Sequence, residues 1–349
     1  MANINDVAKK AGVAISTVSY IINGTRNVSP EITERVMKAI DELDYQIDPI
    51  ARSMRNGSSR MIGLIITSFS RIFFAPVIRR CREIASSQGY TLMCVETDDD
   101  FELEKNYIDL MRGNRFDAII LDTVADLDDS AYYEKLQALA YRKKRIPVVC
   151  IERDMTEFGL DSVEADNYNG AVKALNHLIS LGSKKIMHIT GPANSFPAER
   201  RMRGFKETIE KHPEVEQLVV AGDFSPKSGY DAVCNTLVKR NELPFDAVFA
   251  SNDQMAVGAI KALQEMGVSI PDEVKVVGFD DSFIASLLEP SLTSVHVSAA
   301  GIGTVAIRLA LERISNVDQP ARCRQVDTGL VVRQSTDKDT YISKNFSNW

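Results

Sequence analysis

The chain has 349 residues, 44% apolar and 26% charged, the balance of a soluble globular protein with room for two or three domains. Lys and Arg number 41 against 48 Asp and Glu, a formal charge of −7 that excludes a uniformly basic nucleic-acid binder. Five scattered cysteines without CxxC spacing and four histidines without ligand spacing exclude a disulfide frame or a zinc site, and no apolar run approaches the roughly 20 residues of a membrane span. Asp6, Lys9 and Lys10 interrupt any secretory segment, so the expected setting is the reducing cytoplasm, with no membrane, metal or cofactor.

The first readable pattern runs from Ile4 to Gly24. Residues 6–11 predict a short helix with Val7, Ala8 and Ala11 on one face. Gly12 marks a sharp turn, because glycine enters left-handed backbone without steric cost. Ser16 is placed as the cap of a second helix that ends near Asn23. Its inner face is Val18, Ile21 and Ile22, with Ile15, Ser16, Ser19 and Tyr20 turned outward. Ser29-Pro30-Glu31 predicts a capped start for a third helix with Val36, Met37, Ile40 and Leu43 on one stripe. Helices this short are stable only together, and three with a tight turn between the first two make a helix-turn-helix head.

The string Asp6-Val7-Ala8, Ala11-Gly12-Val13, Thr17-Val18-Ser19, Ile22-Asn23-Gly24 resembles the N-terminus of the lactose-repressor/galactose-repressor (LacI/GalR) family of bacterial transcription regulators. The resemblance implies double-stranded operator DNA as a partner. It places Ile15, Ser16 and Tyr20 on base-reading positions in the major groove, with Ile4, Thr17, Ser19 and Asn23 completing the DNA-facing set. Ile15 offers only apolar contact, Ser16 is a permissive hydrogen-bonder, and Tyr20 replaces a more usual Arg or His. Residues 1–60 carry eight Lys and Arg against seven Asp and Glu, and the remainder carries 33 against 41. The head therefore supplies a modest phosphate term, which suits binding by two heads.

Pro49 disfavours helix at Asp48. One to two acid-free helical turns follow from Ile50 to Asn56-Gly57. By the resemblance this is a hinge helix within a linker, 47–60. Met54 would be the apolar wedge in the minor groove, where leucine is usual, and Arg55 a basic minor-groove contact.

From Arg60 short apolar runs alternate with amphipathic segments. Candidate strands are 61–67, 91–96, 117–122, 148–152, 186–190, 218–222, 247–250 and 274–279; candidate helices are 74–88, 102–113, 169–181, 198–211, 227–241 and 253–266. Such alternation predicts parallel sheets. Phe116-Asp117-Ala118-Ile119 recurs as Phe245-Asp246-Ala247-Val248, suggesting two similar halves with a cleft between them. By the family resemblance, the expected fold is a small all-α head (1–46) and an α/β periplasmic-binding-protein-like core of two doubly wound sub-domains (61–335) between which the chain crosses more than once. The first is 61–160 plus about 292–316, the second 161–290 plus about 322–335. A loosely ordered polar tail, 336–349, follows.

Polar and aromatic side chains gather at the predicted strand ends: Ser68, Phe69, Glu152, Asn252, Asp253, Asp280 and Asp281, with Arg201 and Phe224 nearby. Each alone reads as a turn or cap residue. Together they suit a polyol, whose hydroxyls meet carboxylate, amide and guanidinium while a ring face packs on an aromatic. The resemblance implies effector contacts at Ser68, Phe73, Phe74, Glu152, Arg201, Phe224, Asn252 and Asp280. Glu152 stands where Asp is usual and Val297 where Gln is common. Ser195 stands where purine-responsive members carry a base-reading arginine. The expected effector is therefore a sugar or sugar derivative. A purine or other metabolite co-repressor, or a sugar-binding module without DNA function, are the alternatives. With no nucleophile elbow, HExxH, P-loop or paired Cys and His, no catalytic residue is assigned. The C-terminus has no heptad pattern, which favours a homodimer over a tetramer.

Overall fold

In a computed structural model, residues 2–23, 26–45, 58–141, 145–237, 243–316 and 319–340 are described. The chain divides into two compact units, Met1–Ser59 and Arg60–Trp349. Met54, Arg55 and the hinge helix expected around them lie outside the described residues.

The head holds α1 (Ile4–Ala11), α2 (Ile15–Asn23) and α3 (Pro30–Glu42). α1 starts two residues earlier than expected, because Asn3 caps it: its side chain accepts from Asn5 N at 2.8 Å while Asn3 N donates to Asp6 at 2.9 Å. Gly12 closes it with φ 65°. α2 begins at Ile15, so Ser16 lies inside the helix and is not its cap. Ser29 holds the N-cap position of α3 without a side-chain cap bond. Val7, Ala8, Ala11, Val18, Val36 and Ala39 form the core, with Ile32, Ile40 and Leu43 packed against it. Met37 is 48% exposed. The inner stripe of α3 runs through Ile32, Val36 and Ala39, so Met37 falls one residue off it.

The core unit is two six-stranded sheets. β1 (Met61–Ile66), β2 (Thr91–Glu96), β3 (Ala118–Leu121), β4 (Val148–Ile151) and β5 (Asp161–Ala165) alternate with α4 (Phe74–Ser87), α5 (Phe101–Gly113) and α6 (Ser130–Tyr141). The second half follows: α7 (Asn167–Ser180), β6 (Lys185–Thr190), α8 (Phe196–Ile209), β7 (Glu216–Ala221), α9 (Pro226–Leu237), β8 (Ala247–Ala250), α10 (Asp253–Glu265) and β9 (Lys275–Asp280). The chain closes with β10 (Thr293–Val297), α11 (Ala299–Ser315), β11 (Cys323–Val326) and β12 (Thr328–Val331). Sheet order is β11-β5-β4-β3-β1-β2 in the first half and β12-β10-β9-β8-β6-β7 in the second. The central strands are apolar runs buried on both faces, as parallel strands covered by helices must be.

The repeated Phe-Asp motif has one structural meaning in both halves. Asp117, just before β3, accepts from Arg60 N at 2.9 Å, and Asp246, just before β8, accepts from Lys184 N at 2.8 Å. Each aspartate ties the start of the third strand to that of the first.

The expected sub-domain boundaries need correction. Residues 161–165 pair in the first sheet, not the second; β10 lies in the second sheet, not the first; and β11 belongs to the first. Only α11 of the stretch 292–316 packs on the first half, against α4. The chain thus passes between halves after Ala165, Val297 and Val326. The start of the tail is not loose either: Thr336 is buried, with Oγ1 2.7 Å from Thr293 Oγ1 and 2.9 Å from His177 Nε2. Residues 341–349 lie outside the described residues.

Candidate functional site: a polar cleft and a DNA-facing helix

Residues following the strand ends of both sheets line one cleft that opens to solvent. From the first half come Thr67, Arg71, Phe73, Phe74, Asp122, Glu152 and Arg153, among others. From the second come Phe196, Arg201, Phe224, Asn252, Gln254 and Asp280. Seven of the eight residues expected to meet an effector are therefore brought together. Ser68 is the exception. β1 stops at Ile66, so Thr67 faces the cleft, and Ser68 turns into the next loop with Oγ 2.9 Å from Ser70 Oγ.

Three of these positions are held in left-handed backbone without being glycine: Glu152 at φ 65°, Phe224 at φ 70° and Asp280 at φ 95°. Such geometry costs roughly 1–3 kcal/mol per residue and persists where the surroundings impose it, most often at binding sites. All three line the cleft.

Arg201 sits in the second turn of α8 and is 3% exposed. Nε donates to Asn167 Oδ1 at 2.8 Å, Nη2 to Asp280 Oδ1 at 3.3 Å and Nη1 to the Ser251 carbonyl, and the guanidinium lies 3.8 Å from the centre of the Phe279 ring. A planar fork held at every edge is a fixed cation. Around it the acids are pushed toward neutrality. Burial raises Asp280 to about 6, opposed by Arg201. Asp122 also rises to about 6 on burial, though Thr67 Oγ1 donates to it at 2.8 Å. Glu152 rises furthest, to about 8: burial dominates, Arg201 opposes it, and Asp122, Asp280 and Glu164 add to it. Its Oε1 is buried without a hydrogen-bond partner. Glu152 also belongs to the cleft lining, so this unmatched oxygen is one that a ligand donor could satisfy.

Asn252 caps α10, accepting from Met255 N at 2.9 Å and donating to the Phe224 carbonyl at 3.0 Å. It therefore fixes Phe224 as well as facing the cleft. Asp253 and Asp281 are occupied structurally: Asp253 accepts from Ser294 Oγ at 2.6 Å and Ser282 N at 2.6 Å, and Asp281 pairs with Arg333 at 2.6 Å. Sequence reasoning missed Thr67, Arg71, Asp122, Arg153, Phe196 and Gln254. The strand-end criterion that found Glu152 applies equally to Asp122. Among the described residues no cluster of His, Cys, Asp and Glu could hold a metal ion, and no helix is long and apolar enough to cross a membrane.

In the head, Ile15 is 49% exposed and Ser16 is exposed, while Thr17, Ser19 and Tyr20 are half-buried. The Arg26 guanidinium lies 4.8 Å from the centre of the Tyr20 ring, adding a cation beside that position. Ile4 packs on the head's core. Lys10 pairs with Glu42 at 2.8 Å, which reduces the basic face.

A helix-turn-helix head and a two-sheet core with a polar cleft in one chain are the parts of a ligand-responsive regulator of transcription. The family model described as "Bacterial regulatory proteins, lacI family" matches residues 3–48, and that of the "Periplasmic binding protein-like domain" matches 175–336. The ribose operon repressor of Halalkalibacterium halodurans is 37% identical over 336 residues, 96% of this chain and 97% of that protein. The transcriptional repressor PurR of Mannheimia succiniciproducens is 33% identical over 340 residues, 97% of this chain and 99% of that protein. The chain belongs to the LacI family of DNA-binding regulators. The crystal structure of the Lac repressor dimer bound to operator and the anti-inducer ONPF shares the fold. Its TM-score is 0.84 at 24% identity, covering 96% of this chain and 99% of that one.

Proposed function

We propose that this protein is a repressor that binds a palindromic operator as a homodimer and is controlled by a sugar or sugar derivative in the cleft. The observation that carries the effector class is Glu152: a buried carboxyl with an unpartnered oxygen, beside Asp122, Asp280 and the fixed Arg201. A polyol supplies hydroxyls that donate to the acids and accept from Arg201 and Asn252, while the phenylalanine rings cover its apolar face. The ribose operon repressor among the relatives supports the same reading. Ile15, Ser16, Thr17, Ser19 and Tyr20 would meet the operator, with Asn23, Met54 and Arg55 assigned by family resemblance alone. Effector binding would re-angle the two halves and, through them, the segments that carry the heads.

One observation favours a purine instead. The phenylalanines at 73, 74, 196 and 224 offer stacking faces, and PurR is a full-length relative. Ser195, also in the lining, is too short to read a base edge as an arginine would. A thermal-shift series with D-ribose, other pentoses and hexoses, and hypoxanthine separates the two. A ligand bound only by the folded protein raises the melting temperature by mass action. A rise with a sugar is expected; a rise with hypoxanthine alone overturns the sugar reading. A gel shift with upstream genomic fragments tests the head.

A further inference from the structure

We propose that Gln254 is a positioning residue that latches residues 68–73, the lip of the cleft, across the cleft mouth before any effector arrives. The lip belongs to the first half and Gln254 to the first turn of α10 in the second. Ile72 N donates to Gln254 Oε1 at 3.0 Å, and Gln254 Nε2 donates to the Ser70 carbonyl at 3.1 Å. One primary amide thus serves a donor and an acceptor of the same main chain, two residues apart. A carboxylate at this position supplies only the acceptor, and a shorter amide has one methylene less reach.

The lip is built to be held this way. Within the first half, Phe69 N donates to Glu96 at 2.7 Å, and Arg71 donates to Thr67 Oγ1 at 2.6 Å and Asp99 at 2.6 Å. Ser70 N donates to Ser68 Oγ at 3.2 Å, closing the turn. From that braced turn the Arg71 guanidinium reaches over Phe224 of the second half, 5.3 Å from the ring centre. Phe73 and Phe74, which end the lip and start α4, are cleft wall. Opening the cleft requires both Gln254 bonds and the Arg71–Phe224 contact to break together. The latch therefore sets how often the free cleft opens and where its aromatic wall stands. Its bearing on an effector rests on the proposed function, but the latch itself does not.

Hydrogen exchange on the full-length, ligand-free protein tests it. Removing two neutral hydrogen bonds in Gln254→Ala should speed exchange of the peptide spanning 68–74 roughly ten- to thirtyfold. Peptides from β6 and α7 should keep wild-type rates. Gln254→Glu retains the acceptor for Ile72 N and should fall between wild type and alanine. Unchanged exchange at 68–74 in Gln254→Ala overturns the latch, as does acceleration spread evenly through the second half. Because no sugar is present, a failed sugar screen leaves this result standing.

Discussion

Glu152→Gln is the substitution whose effect is most closely set by the cleft. The glutamine keeps the size and an oxygen at the same place but cannot ionise. Burial raises Glu152 from 4.5 to about 8, so between those values the folded carboxyl keeps a proton that the unfolded one has lost. The native state then binds more protons, and stability falls as pH rises. One proton corresponds to about 1.4 kcal/mol per pH unit, hence on the order of 4 kcal/mol between about pH 5 and pH 8. Asp122, Asp280, Glu164 and Arg201 face Glu152 in both proteins, so their own titrations largely cancel in the difference. Urea unfolding of the core, followed by far-UV circular dichroism at several pH values, reads it. The two proteins should be nearly equal at about pH 5, with the variant progressively the more stable as pH rises, at unchanged m-value. Parallel profiles across that range would refute the assignment of a neutral buried acid. A sugar hydroxyl donating to Glu152 favours its anion, so effector binding near neutral pH should also release a proton. Titration calorimetry in buffers of different ionisation enthalpy detects that release.

His188 should give the opposite pH profile. Burial, with the ring stacked between Phe205 and Phe249, lowers it from 6.5 to about 4. As pH falls from 6.5 toward 4 the unfolded state takes up the proton first and stability is lost, about 3 kcal/mol in all. His188→Phe should not show that loss, and urea titrations at pH 7 and pH 5 compare the two. Gly258→Ala places a methyl carbon 1.8 Å from the Pro226 carbonyl oxygen, where α10 crosses α9. Despite alanine's better helix propensity it should destabilise by roughly 3 kcal/mol or more, seen as a lower urea midpoint. Tyr20→Ala should weaken operator binding about tenfold or more in a gel shift while leaving any sugar-induced thermal shift unchanged; equal operator affinity removes Tyr20 from the reading set.

The central strands were legible because each is a short apolar run bounded by turn residues, and the Phe-Asp repeat marked the same strand in both halves. Residues 161–165 and 323–326 were not legible as strands, because Asp161, Glu164, Arg324 and Gln325 break the apolar signal at one edge of the sheet. Which sheet a late strand joins depends on where the chain crosses over, and no local pattern encodes that. The stripe of α3 was misread by one residue because Val36 and Met37 are both apolar, and only tertiary packing separates them. In the cleft, the acids at strand ends were visible as residue types in a predicted context. Arg71 and Gln254 were not, because their roles depend on partners 28 and 182 residues away in the chain.

The cleft acids and the latch bear on opening of the cleft in opposite directions. Burial within the cleft raises Glu152, Asp122 and Asp280 together, so without ligand each must stay protonated or remain a poorly solvated anion. Opening would rehydrate them and relieve that cost, most strongly at high pH. The Gln254 bonds and the Arg71 contact resist opening. A ligand that donates hydroxyl hydrogens to the acids removes the reason to open and leaves the latch in place. A ligand with the same shape but no donors leaves Glu152 unsatisfied. Discrimination between a sugar and its deoxy analogue should therefore exceed that expected from area alone where the missing hydroxyl is the one that meets Glu152, because its buried oxygen is then left unpaired, at roughly 1–3 kcal/mol. Comparing the thermal shift of a bound sugar with that of its deoxy analogue, at pH 6 and pH 8, tests this. The gap should widen at the higher pH, where Glu152 is increasingly an anion in need of donors.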